Sequence, residues 1–157
     1  MKLFTLCFCL AGSLLIHAEN INIESNKSLY FIDGDSINLR MRIAGIDTPE
    51  INQKCRKSRL EIIDCGILSK IYLKELMEKM PGELVISVVG TDHYGRLLVK
   101  VLKGGVNIGE MLVKKGMAFS YKDNYILEEN KAKQEGVGFW SFYEPPIEPY
   151  KWRKSNK

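Results

Sequence analysis

The chain has 157 residues, a formal net charge of +4, 45% hydrophobic residues and 27% charged ones. That composition describes one ordinary domain with enough apolar residues for a core, and excludes a disordered or fibrous chain. It also excludes the broad basic footprint of a bulk nucleic-acid binder, because four of the positive charges lie in the last seven residues, KWRKSNK.

Lys2 is followed by LFTLCFCLAGSLLIHA, with no charge before Glu19. A short positive region, an apolar run and a small residue at its end read as a secretory signal over residues 1–18, cut after Ala18. An uncleaved membrane anchor is the other reading, although sixteen residues are short for a span. Neither Cys7 nor Cys9 follows the small-residue pair of a lipoprotein cleavage site. Loss of residues 1–18 removes one lysine and no acid, leaving +3. Cys55 and Cys65 then remain. An even number in an exported chain suggests a disulfide, whose short loop would contribute about 2–3 kcal/mol. Two free buried thiols are the alternative. With His93 as the only mature histidine, a standard four-ligand zinc set is missing.

SLYFI, residues 28–32, looks like a strand. From Ser36 to Ile43 the sequence alternates strictly, so Ile37, Leu39, Met41 and Ile43 share a face expected to be buried. GIDTPE ends the pattern, since Pro49 has no backbone donor. Residues 56–80 read as mainly helical, with Gly66 near the start of the better helix and Pro81-Gly82 as its stop. ELVISVV and RLLVKVL form a hairpin across GTDHYG. NIGEMLVKKG is a helix capped by Asn107 and ended by Gly116. A short strand, MAFSY, and a helix over 124–135 follow. FWSFYEPPIEPYKW is expected to wrap the domain irregularly. Without alternating βα units, a doubly wound sheet is disfavoured. A small, partly closed antiparallel barrel with helices packed beside it, an α+β fold, fits better, and a five-stranded antiparallel barrel of the oligonucleotide-binding type with about three packed helices is one such answer. The domains are then a signal over 1–18, the barrel over 19–143, and a Pro/aromatic and basic tail over 144–157, either solvated or used in binding.

The chemistry gathers in DGDSINLRMRIAGIDTPE, residues 33–50. Asp33, Asp35 and Asp47 offer hard oxygens, which suit Ca²⁺ or Mg²⁺, though the spacing is not that of an EF-hand. Arg42 lies on the polar face of its strand and leads into the turn holding Asp47 and Glu50. A D-x-x-G-R turn, Asp92 to Arg96, puts a second arginine at a hairpin end. Phosphodiester hydrolysis adds negative charge to an anionic phosphorus centre. Guanidiniums bind those oxygens bidentately, a metal neutralises charge, and a carboxylate orients or deprotonates water.

DGDS, R-x-x-G-I-D-T-P-E, D-x-Y-G-R and GFWS, in that order from about Tyr30 to Ser141, resemble the thermonuclease family, the staphylococcal-nuclease-like proteins. QKC followed by CG resembles its cysteine-paired exported bacterial branch, with Cys55 and Cys65 as the pair. The resemblance implies an oligonucleotide-binding-type barrel and Ca²⁺-dependent cleavage of DNA and RNA by water attack at phosphorus, leaving 3′-phosphate and 5′-hydroxyl ends. It implies Arg42, Glu50 and Arg96 as catalytic residues. Asp35, Asp47 and the Thr48 carbonyl are implied as metal ligands, with Asp33 behind them, and Tyr94 and Tyr121 as substrate contacts. No stable protein partner is implied; a monomer without a mature membrane span is expected, secreted or periplasmic. The segment from Asp35 to Arg42 is shorter than in the family by about a hairpin turn, and Ser36 replaces threonine.

Other readings stand beside these. His93 is expected on the hairpin surface rather than as a base. Phe139, Trp140 and Phe142 are expected in the core rather than stacked on bases, while Tyr121 suits either. Lys114 and Lys115 complement a helix end. Rival functions are a non-catalytic nucleic-acid-binding barrel, which would not need all of Asp35, Asp47, Glu50, Arg42 and Arg96, and a structural calcium-binding envelope protein, which leaves Arg96 unexplained.

Overall fold

A computed structural model describes residues 28–156; the expected signal over 1–18 lies outside them. β1 (Leu29–Phe31) and β2 (Ile37–Leu39) form an antiparallel hairpin. β3 (Met41–Ile43) follows after a break at Arg40 and leads through the Ala44-Gly45 turn into β4 (Ile46–Asp47). The strand expected over 36–43 is therefore two strands with different partners. Its apolar face is also not a core face: Ile37, Leu39 and Met41 are exposed, and only Ile43 packs on the core. The cause is the break, because β2 pairs with β1 while β3 joins the central sheet.

β5 (Lys54–Arg56) and β6 (Ile62–Asp64) form a second hairpin, and α1 (Cys65–Lys79) starts only after it. This corrects the helix expected from residue 56. The Cys55–Cys65 disulfide, with Cα atoms 5.9 Å apart, closes the hairpin at the first residue of α1. Lys57 and Glu61 bond across its tip at 2.9 Å, so the chain must double back before a helix can begin.

β7 (Leu84–Thr91) and β8 (Leu97–Lys103) make the expected hairpin, irregular between Val88 and Gly90. β9 (Val106–Asn107) leads into α2 (Ile108–Lys114), where the Asn107 side chain accepts from the Glu110 amide as a cap should. β10 (Phe119–Ser120) pairs with β4. α3 (Ile126–Glu135) ends on left-handed Gly136, and a 3-10 turn covers Gly138–Ser141. α4 (Pro149–Ser155) closes the described chain.

The mixed α+β class is as expected. The antiparallel description needs a correction, because β3 runs parallel to β8 in the sheet order β3-β8-β7. Four α-helices are described rather than about three, and the last lies in the segment expected to be irregular. Leu97, Val99 and Val101 of β8 pack on Ile108, Leu112 and Val113 of α2. A second cluster sets buried Phe139 against the disulfide, and half-buried Trp140 meets buried Phe119 edge-on at 5.2 Å.

Candidate active site

The parallel pairing of β3 with β8 brings the two arginine-bearing segments together. Arg42 stands opposite Leu98, two residues past Arg96. The turn after β3 needs Gly45 in the left-handed region, at φ 77°. There a Cβ would lie 2.9 Å from the Tyr125 ring. The turn sends β4 back so that Asp47 faces Arg42.

Asp47 is 4% exposed, yet its carboxylate is fully bonded. Arg42 donates from Nη2 to Oδ1 at 2.7 Å and to the Ile46 carbonyl at 3.2 Å. Arg153, from α4, donates from Nη2 to Asp47 Oδ2 at 2.9 Å and from Nη1 to Glu50 Oε1 at 2.7 Å. The same Nη1 lies 3.3 Å from Asp47 Oδ1. A buried carboxylate held between two guanidiniums, one of which reaches a second carboxylate, is a charge-balanced network. The Asp47 bond, assisted by Glu50, pushes the Arg153 guanidinium above its ordinary range, so it remains charged at any working pH.

Arg96 is held separately. Its Nε donates to Asp92 Oδ2 at 2.7 Å, and its Nη2 lies 2.7 Å from the same oxygen as an ion pair. Asp92 Oδ1 accepts from the Tyr94 and Arg96 amides, both at 2.9 Å. Burial pushes the Asp92 carboxyl up, but these amides and the guanidinium outweigh it, and its pKa falls below 3.8.

Glu50 is fixed through its backbone. Its amide donates to Gln53 Oε1 at 3.1 Å, and Gln53 Nε2 donates to the Ile147 carbonyl at 2.9 Å. Gln53 is wholly buried. Gly66, at the start of α1, sits so close that a Cβ there would lie 1.9 Å from the Glu50 carbonyl oxygen.

Arg42, Glu50 and Arg96 line one cleft of about 760 Å³, together with Arg40, Asp92, His93, Tyr94, Tyr121, Lys122 and Arg153. An adjoining cleft of about 400 Å³ shares those three residues and adds Asp47 and Thr48. Tyr94 is exposed with Arg96 5.4 Å from its ring centre, and Tyr121 is exposed with Arg42 at 5.9 Å, which decides Tyr121 against the core. His93 lies on the exposed hairpin tip, 3.7 Å centre to centre from Tyr94.

Asp35 is not brought in: it is exposed, accepts from the neighbouring Ser36 hydroxyl, and lines neither cleft. Its amide donates to Asp33, which stands beside it on the same turn. Among the described residues no three His, Cys, Asp or Glu side chains come together as a metal-holding group. Arg153 and Asp92 are the residues that sequence reasoning left without a role in the site. Asp92 was visible as the first residue of its D-x-x-G-R turn. For Arg153 the signal was Pro149, a residue suited to a first helical turn, four positions upstream in a segment read as irregular.

The chain matches the family model described as staphylococcal nuclease homologue over residues 40–142. It is 30% identical to a Haemophilus influenzae protein named an uncharacterized endonuclease, over 87% of this chain and 72% of that one. It is 29% identical to Staphylococcal-like nuclease CAN1 of Arabidopsis thaliana, over 75% of this chain but only 34% of that longer protein. It is 28% identical to the thermonuclease of Staphylococcus hyicus, over 71% of this chain and 69% of that one. Among the described residues no helix is long and apolar enough to cross a membrane.

Proposed function

Because the chain belongs to the staphylococcal nuclease homologue family, and is on that ground a nuclease hydrolysing phosphodiester bonds, we propose that it is an exported, calcium-dependent endonuclease. Its substrates are DNA and RNA, and its products carry 3′-phosphate and 5′-hydroxyl ends. The observation that carries this reading is the convergence of Arg42, Glu50 and Arg96 on one open cleft edged by Tyr94 and Tyr121.

The scissile phosphate enters between Arg42 and Arg96, whose guanidiniums bind its non-bridging oxygens and gain most as charge develops at phosphorus. Both are oriented beforehand by carboxylates, Asp47 and Asp92, so little order is lost on binding. Glu50 lines the same cleft and supplies a carboxylate to orient water or take its proton. Tyr94 and Tyr121 offer exposed ring faces to a base or sugar beside that phosphate.

Calcium has suitable donor chemistry here in Asp47, Glu50 and the adjoining Thr48. The arrangement does not fit a calcium cage as it stands. Asp35 is apart, and both Asp47 oxygens are bonded to guanidiniums.

Plasmid digestion by the purified protein, with calcium and then with chelator, tests the reading. Cleavage in calcium with 3′-phosphate ends is expected, and binding without cutting would favour the non-catalytic barrel. Glu50→Gln and Arg96→Ala should each remain folded and lose about two to three decades in rate. Wild-type rates in both folded variants would overturn the assignment of these residues. Export rests on residues 1–18, and N-terminal sequencing of the exported protein should find a start after Ala18.

A further inference from the structure

The cleft holds arginines of two kinds. Arg42, Arg96 and Arg153 each lie 2.7 Å from a carboxylate oxygen, so their charges are matched inside the protein. Arg40 lines the same cleft, is exposed, and pairs with no carboxylate among the described residues. Its Nη1 donates to the Tyr30 hydroxyl, and its guanidinium lies 5.4 Å from the centre of that ring. A neutral phenol orients a guanidinium without cancelling its charge, and the remaining N–H donors of the fork stay available to phosphate oxygens.

The backbone sets where that charge stands. Arg40 is the single residue between β2 and β3. Its amide donates to the carbonyl of wholly buried Ser28 at 3.0 Å, and its carbonyl accepts from the Leu97 amide at 3.1 Å. The Ser28 hydroxyl in turn donates to the Gly95 carbonyl, in the turn that carries Arg96. One step back along the β3–β8 register Arg40 stands level with Arg96, and it lies two residues before Arg42, on the same face of an extended segment. Two residues of strand span about 7 Å, comparable to the step between successive phosphates along an extended nucleic-acid strand. A phosphate held by Arg42 and Arg96 thus has its neighbour within reach of Arg40.

We propose that Arg40, oriented by Tyr30, binds the phosphate next to the scissile one, so that the cleft prefers strands with consecutive phosphodiesters over a single isolated one. The proposal rests on the reading of this cleft as the nuclease site. Arg40 then acts on substrate binding and on the preference for strand length, while Arg42 and Arg96 serve the reacting phosphate.

Steady-state cleavage of a dinucleoside monophosphate, with one phosphodiester, and of a trinucleoside diphosphate, with two, tests this in the wild-type chain, Arg40→Ala and Arg40→Lys. Arg40→Ala should lose about tenfold in kcat/KM on the longer substrate, through KM rather than kcat, and by a smaller factor on the shorter one. Arg40→Lys should fall between, since it keeps the charge without the fork. Lys100→Ala, which removes an exposed charge outside both clefts, should keep the wild-type length preference. A salt titration of a labelled single-stranded oligonucleotide gives a readout that needs no turnover: the slope of log affinity against log salt should be shallower by about 0.7 in Arg40→Ala. Equal losses on the two substrates, a loss carried by kcat, or an unchanged salt slope overturns the subsite alone while the nuclease reading of the cleft stands. If the wild-type chain cuts neither substrate, the salt slope still decides the subsite, and a wild-type chain that neither cuts nor binds overturns the cleft reading and the subsite together.

Discussion

Asp92 uses one carboxylate oxygen for two backbone amides and the other for the Arg96 guanidinium. It therefore fixes both the hairpin turn and the direction of a proposed catalytic arginine. Asp92→Asn keeps the shape but weakens the charge-assisted bonds. A loss of about 1–2 kcal/mol is expected, less than for a wholly buried pair because Arg96 is partly exposed. The sign with pH follows from the lowered pKa. Stability from ionised Asp92 is fully present above the ordinary value of 3.8 and is lost as pH falls through the lower folded value. Urea midpoints of wild type and Asp92→Asn should thus differ at neutral pH and converge only below pH 3.8. A constant gap down to pH 2 would mean that the amide bonds, not the charge, hold the turn. At this level the sequence was most readable where partners are close in the chain. Arg42 with Asp47 and Arg96 with Asp92 lie within five positions of each other, and their turns carry recognisable motifs. Arg153 was hidden because its partners are about a hundred positions away, and no local pattern encodes such a pairing.

The start of α1 shows how packing can outweigh propensity. Replacing Gly66 with alanine favours a helix by about 1 kcal/mol in isolation. Here the new methyl would meet the Glu50 carbonyl oxygen at 1.9 Å, a backbone atom that cannot swing aside. Gly66→Ala should therefore destabilise the protein by about 1–3 kcal/mol and displace Glu50, so that cleavage falls further than stability does. Urea unfolding and turnover on the same preparation separate the two effects. The neighbouring disulfide is a different kind of constraint. The Cys55→Ser, Cys65→Ser double variant should lose about 2–3 kcal/mol, measured by urea unfolding, through a less restricted unfolded chain. The hairpin closed by that disulfide was read as helix from sequence, because residues 56–64 are short on alternation and rich in helix-compatible side chains. The β7–β8 hairpin and α2 were read correctly, since turn residues, alternation and an asparagine cap all agreed there. The exposed face of β2 failed in the opposite way: its alternation was real, but the break at Arg40 assigned it to a two-stranded hairpin rather than to the core.

Taken as a whole, the protein concentrates its guanidiniums but carries little excess charge. Arg42, Arg96 and Arg153 face Asp47, Asp92 and Glu50, so three cleft cations are internally balanced before any substrate arrives. Arg40 and Lys122 also line the cleft, and neither has a carboxylate partner among the described residues. Arg40 bonds and stacks with Tyr30, and Lys122 lies 5.7 Å from the Tyr121 ring centre. Such a surface grips a short stretch of strand by placed contacts and aromatic faces, not by a long electrostatic track. Counterion release then sets a measurable limit. Each phosphate neutralised on a single strand contributes about −0.7 to the slope of log affinity against log salt. Two or three phosphates held at the cleft give a slope of about −1.5 to −2. Anisotropy of a labelled single-stranded oligonucleotide, titrated with the Glu50→Gln protein in calcium between about 50 and 200 mM salt, reads this directly. A slope steeper than about −5 would require many more phosphate contacts than the cleft offers, and would move the main binding surface away from Arg42 and Arg96.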